Sequence, residues 1–263
     1  MNATLNLVEH LLARGRKYQE LGRHRDALNL FTRLAGFREL PAEAAEETQA
    51  RLAELQLKRR NYGRARRHLT AALRHRPASA LYHYQMATAL QAEDRGNLEQ
   101  AAEHYRQALD LEPGYVKCLI DYGLLAVRLG RIDEGLARLR EAVERAPEDA
   151  EAVGRLVKGL RLAGRGDEAR TAIRAALFRN PRSPRFRKLW NDFQFQQLRQ
   201  RRAAERLERE AAGPPDEGPV LLPFRRPQGS PPPGGPSPTI LHREAGLLPP
   251  HRPRRRPDQR NVQ

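Results

Sequence analysis

Arg155, Lys158 and Arg161 stand three residues apart, a spacing that drifts only slowly around one face of a helix. A cationic stripe of this kind recognises carboxylates; it binds and orients but breaks no bonds. Side chains that could make or break bonds are few and scattered. Residues 1–181 hold one serine, Ser79, placed to cap a helix rather than to attack a carbonyl. There is no Gly-x-Ser-x-Gly elbow, no phosphate loop ending in Gly-Lys-Ser/Thr and no His-Glu-x-x-His pair. His68 and His75 lie two turns apart without a third ligand, so they read as a solvated face and not a metal site. The one cysteine, Cys118, has no partner for an internal disulfide and reads as a packed thiol. The carboxylate pairs Glu46–Glu47 and Asp167–Glu168 fit first turns of helices, where the macrodipole favours negative charge. The expectation is no catalytic residue, no cofactor and no metal: a non-enzyme that works by binding.

The elements that must carry such a stripe are legible in a repeat. Placing Ala27, Ala65, Ala101, Gly135 and Ala169 in register aligns LGRHRDALNLF, RRNYGRARRHL, GNLEQAAEHY, LGRIDEGLARL and AGRGDEARTAI at intervals of 38, 36, 34 and 34 residues. In the last copy Val153, Leu156, Val157 and Leu160 recur at helical spacing up to the closing Gly164. Ala169, Ile173 and Ala176 then mark a second helix, stopped by Pro181. The small residue at the register position lets the two helices approach, and the branched or aromatic residue four places on fills the space beside it. A pair like this cannot bury its apolar face alone, so the chain is predicted to be a stack of helical pairs. At the N-terminus Leu5, Val8, Leu11 and Leu12 form one helix face, with no secretory signal pattern.

These segments resemble tetratricopeptide (TPR) repeats. The resemblance rests on Gly123, Gly130, Leu139, Ala142 and Pro147; on Gly164, Ala169, Ala176 and Pro181; and on Gly96, Ala101, Tyr105, Ala108 and Pro113. The first two copies depart from the pattern: Leu34 replaces a small residue, and Arg60 stands where a turn glycine is usual. The resemblance implies an all-α fold, an α-α superhelix (solenoid) of about five TPR helical hairpins over residues 1–181, with limits near 4–40, 42–78, 79–114, 115–148 and 149–182. It also implies a non-catalytic protein-interaction scaffold whose concave groove is lined by the first helix of each pair. The groove positions are then Tyr84, Thr88 and Gln91; Lys117, Ile120, Asp121, Leu124 and Arg128; and Arg155, Lys158 and Arg161. Ile120 and Leu124 are expected to lay an apolar patch beside the basic stripe, suited to a partner segment with acidic and apolar side chains. Family members that clamp a terminal carboxylate use Lys and Asn where Tyr84, Thr88 and Asp121 stand here, which disfavours that activity.

Beyond the repeats, Phe186, Leu189, Trp190, Phe193 and Leu198 form a stripe suited to a capping helix over residues 183–212. Residues 213–263, rich in Pro, Gly and Arg, read as a disordered tail. The net charge of +16 divides unevenly: residues 182–212 hold nine cations against four acids and residues 213–263 eight against four, leaving +7 for the array. Two alternatives to the scaffold stay open here. One is an RNA- or ribosome-associated factor drawing affinity from the tail, Arg254, Arg255 and Arg256 especially. The other is a non-catalytic subunit presenting substrate to an enzyme. No run is long and apolar enough to span a bilayer, and the expected location is cytoplasmic.

Overall fold

The computed structural model describes residues 2–93 and 97–211, with side chains from residue 6 onward. The expectations for Leu5 packing, for Gly96 and for residues 213–263, Arg254 to Arg256 included, lie outside the described residues. Among the described residues there are eleven α-helices and no strand. They are α1 (Asn2–Glu20), α2 (His24–Ala35), α3 (Ala42–Lys58), α4 (Tyr62–His75), α5 (Ala80–Ala92), α6 (Leu98–Leu111), α7 (Val116–Arg128), α8 (Ile132–Arg145), α9 (Ala150–Leu162), α10 (Gly166–Arg179) and α11 (Pro184–Ala211). Consecutive helices pair as antiparallel hairpins, α1 with α2 through α9 with α10, and each first helix also packs on the pair before it. Among the described residues no helix is long and apolar enough to cross a membrane.

The repeat register explains the packing. Ala27, Ala65, Ala101 and Ala169 are fully buried, and so, four residues on, are Phe31, Leu69, Leu139 and Ile173, with Tyr105 nearly so. The fourth pair comes closest. A β-carbon on Gly135 would lie 2.5 Å from the Gly123 carbonyl oxygen, and one on Gly123 would lie 2.8 Å from the Gly135 carbonyl oxygen. Here backbone meets backbone, and neither position has room for a methyl group. Leu34, the departure in the first copy, is fully buried, so the bulkier residue is absorbed into the core with Val8, Leu12 and Phe31.

Three of the turns within pairs are built the same way. Gly22, Gly130 and Gly164 take φ of +70°, +84° and +75°. The amide after each donates to the carbonyl five residues back: Arg23 to Tyr18, Arg131 to Ala126 and Arg165 to Leu160, at 2.8–2.9 Å. This motif closes a helix by capping its last carbonyls. Arg60 adopts the same conformation, φ +59°, with Asn61 donating to Gln56 at 2.9 Å. The departure seen in sequence therefore keeps the turn but holds a β-carbon in the left-handed region, at a cost of about 1 kcal/mol. Arg60→Gly is expected to raise the unfolding free energy by up to that amount, measured by urea titration. Ser79 caps α5 as expected, its Oγ accepting from the Tyr82 amide at 3.4 Å.

α11 closes the array because its two faces differ. Phe186 and Phe193 are buried against α9 and α10, with Leu189 and Trp190 half-buried beside them. The expected stripe stops there: Leu198 is 51% exposed, since by that point the helix has run past the last hairpin. One period of 34 residues maps Val153, Val157 and Leu160, buried on α9 in the cluster that holds Ala169 and Ile173 of α10, onto Arg187, Asn191 and Gln194. All three are exposed, so the face that would receive another helix is polar.

Candidate functional site: the row of first helices

The predicted groove residues lie on α5, α7 and α9, and the structure treats them unequally. Tyr84 is buried, and its hydroxyl donates to Asp121 Oδ2 at 2.8 Å, tying α5 to α7. Its ring packs 5.0 Å from Tyr115 and 5.9 Å from Tyr105, while the Lys117 ammonium stands 6.0 Å from its centroid. Thr88 donates to the Tyr84 carbonyl at 2.9 Å, and Gln91 accepts from the Tyr105 hydroxyl at 2.9 Å. These three polar groups are spent within the fold.

Ile120 and Leu124 require a correction. They are 4% and 6% exposed, so the apolar patch expected beside the basic stripe is not offered to a ligand. The heptad-like density of apolar residues on α7 has a different cause. Cys118, Leu119, Ile120, Tyr122, Leu124, Leu125, Ala126 and Val127 are all buried because α7 is packed on every side but one. Cys118 is fully buried, and burial pushes its thiol up to about 12, which leaves it protonated and inert at neutral pH.

Asp121 is a half-buried carboxyl of the row. Burial raises its pKa, and the Tyr84 hydrogen bond and the nearby Arg155 charge only partly offset this. A carboxyl whose folded pKa exceeds its unfolded one stabilises the fold at low pH and loses that contribution as pH rises through the folded value. Asp121→Asn keeps an acceptor for Tyr84 and removes the buried charge. It is expected to raise the thermal midpoint at pH 7 and to leave it unchanged near pH 3, where Asp121 is itself protonated.

The basic positions divide as well. Arg155 pairs with Glu151 at 3.2 Å, and Arg161 donates to Gln196 on α11. Lys117, Arg128 and Lys158 are exposed and, among the described residues, have no carboxylate within ion-pair distance. The stripe open to solvent is thus Lys117, Arg128 and Lys158, flanked by Arg155.

Sequence reasoning placed no groove residue on α3, where the same row turns acidic. A cavity of about 430 Å³ between α3 and α5 is lined by Glu43, Glu46, Glu47 and Glu54, with Arg51 and Arg76 among them. Glu46 corrects its reading as a first-turn residue favoured by the macrodipole. It is 7% exposed, accepts from the Tyr82 hydroxyl, and pairs with Arg76 at 2.9 Å. The signal was available: Glu46 and Tyr82 lie 36 residues apart, close to one repeat period. Among the described residues no group of three or more His, Cys, Asp or Glu side chains could hold a metal ion.

Known proteins match this arrangement. Tetratricopeptide repeat family models match residues 50–116, 92–152 and 126–190. Human tetratricopeptide repeat protein 7A is 36% identical over 93 residues, which are 35% of this chain and 11% of that protein's length. Among solved structures, a tetratricopeptide repeat protein from Parabacteroides merdae superposes with a TM-score of 0.62 at 17% identity, covering 76% of this chain and 77% of its own. A thermophilic TPR protein of Thermus thermophilus superposes with a TM-score of 0.53 at 25% identity, covering 72% of this chain and 99% of its own. The family matches run from residue 50 to residue 190 without a gap, over the hairpins whose turns, small-residue contacts and buried registers are described above. The chain belongs to the tetratricopeptide repeat family.

Proposed function

We propose that this protein is a non-catalytic adaptor that binds an acidic segment of another protein along the row of first helices. Tetratricopeptide arrays mediate protein–protein interaction, which sets the class of function. The observation that carries the finer reading is the set of exposed cations Lys117, Arg128 and Lys158 on α7 and α9, without carboxylates of their own among the described residues. With Ile120 and Leu124 buried, recognition rests on charge, so the partner segment is acidic and extended or helical, with no need of apolar anchors at this place. The acidic cavity on α3 and α5 lies at the other end of the row and would repel the same segment, which gives the bound partner a direction.

The test is affinity capture from the native lysate with the full chain, beside a variant carrying Lys117→Glu, Arg128→Glu and Lys158→Glu. All three side chains are exposed, so the variant should keep its helical circular dichroism. A partner whose affinity falls at least about tenfold in the variant, and whose binding weakens with salt, supports the reading. Equal capture by both proteins overturns it.

A further inference from the structure

The last described hairpin position is half filled, and the register says what belongs there. Trp190 on α11 stands one period after Leu156 on α9 and two periods after Tyr122 on α7. In both earlier pairs a second helix covers that position. Leu156 packs in one core cluster with Ala169 and Ile173 of α10, and the Tyr122 hydroxyl donates to Glu134 of α8. No second helix follows α11 among the described residues. In its place lies a cleft of about 390 Å³ between α10 and α11, lined by Arg170, Arg174, Trp190, Phe193, Leu198 and Arg201.

We infer that this cleft is a second docking site, and that its occupant is an acidic amphipathic helix from a partner protein. The place is helix-shaped because it is where the second helix of a sixth hairpin would lie. The chemistry of the lining decides which helix. Gln194 in the lining stands one period after the buried Leu160, and Gln197 lies beside it, so an apolar inner face alone gains little here. Trp190 and Leu198 remain as apolar contacts, half-buried and 51% exposed. Around them stand three arginines. Arg174 lies 5.7 Å from the Trp190 ring centroid, and among the described residues neither Arg174 nor Arg201 has a carboxylate within ion-pair distance. Arg170 is shared between Asp167 at 3.5 Å and Gln197 at 3.1 Å. A helix with one or two apolar residues on its inner face and carboxylates along both flanks matches that frame in shape and charge.

This site is separate from the row of first helices, and Trp190 reports on it directly because it is the only tryptophan of the chain. The probe is a peptide of the α10 sequence, Gly166–Arg179, carrying Arg170→Glu, Arg174→Glu and Arg179→Glu; the unaltered α10 peptide is the control. Titrated into the full-length protein, the acidic peptide should shift Trp190 emission to the blue and saturate, while the control should bind at least about tenfold more weakly. Arg174→Glu with Arg201→Glu in the protein should weaken the acidic peptide about tenfold. Lys117→Glu, Arg128→Glu and Lys158→Glu should leave it unchanged, which keeps this test independent of the proposed partner groove. No change in emission up to about 1 mM peptide overturns the inference. So does binding indifferent to the Arg174 and Arg201 reversals. A Trp190 emission that is blue-shifted without peptide and moves to the red on dilution, or on removal of residues 212–263, places this chain itself in the cleft and overturns it as well.

Discussion

Gly135→Ala will lower the unfolding free energy by about 2–3 kcal/mol, although alanine is the residue this chain itself uses at the same position of its other four repeats. The added β-carbon would lie 2.5 Å from the Gly123 carbonyl oxygen, 2.7 Å from Val127 Cγ2 and 2.8 Å from the Val127 amide nitrogen. Two of those three atoms are backbone, so no rotamer change relieves the overlap, and α7 and α8 must separate. Alanine's better helix propensity, worth about 1 kcal/mol over glycine, works in the opposite direction and does not compensate. The measurement is chemical denaturation of the two proteins at pH 7. An unchanged or higher midpoint would show that the α7–α8 contact is looser than described.

Phe186→Ala will cost about 3–5 kcal/mol at the C-terminal end of the array and much less elsewhere. Phe186 is 1% exposed and belongs to the cluster that joins α11 to Leu156, Val157, Ile173 and Ala176. In a stack whose pairs touch only their neighbours, such a loss stays local before it becomes global. Amide exchange should therefore quicken in α9, α10 and α11 while α3 to α6 keep their protection. Uniform acceleration along the chain would mean that the array unfolds as a single unit.

The fold was legible in sequence because its register positions do one physical thing in every copy. Ala27, Ala65, Ala101, Gly135 and Ala169 all sit where two helices touch, and only small side chains can sit there. The turn at Arg60 was legible in position and not in consequence: the missing glycine was visible, but not that arginine would take the same left-handed conformation. The row of first helices was legible in part. Lys117, Arg128 and Lys158 are open, whereas Tyr84, Ile120, Asp121 and Leu124 turned inward. Helical spacing tells which residues share a face. It does not tell how closely the next helix presses on that face, and α7 is packed on by α6, α8 and α9. Glu46 was missed for the same reason, since its partners lie on other elements, Tyr82 on α5 of the next repeat and Arg76 at the end of α4.

Those inter-repeat partners have a mechanical consequence. Along the row, Gln19 bonds Glu54, Tyr82 bonds Glu46, Tyr84 bonds Asp121 and Arg161 bonds Gln196, each tie spanning 35–37 residues. They are the rungs of a spring, joining each coil to the next on one side. Among the described residues no side-chain hydrogen bond bridges α7 and α9; the fourth and fifth coils are tied instead between their second helices, where Arg140 on α8 donates to Glu168 on α10 at 3.0 Å. Polar rungs depend on distance and angle and give way abruptly once these are lost, while apolar packing is non-directional and re-forms without needing an aligned partner. Pulled from its two ends, the array would carry load between its fourth and fifth coils through the apolar packing of α7 on α9 and through that exposed ion pair, a seam without the first-helix rung its neighbours have.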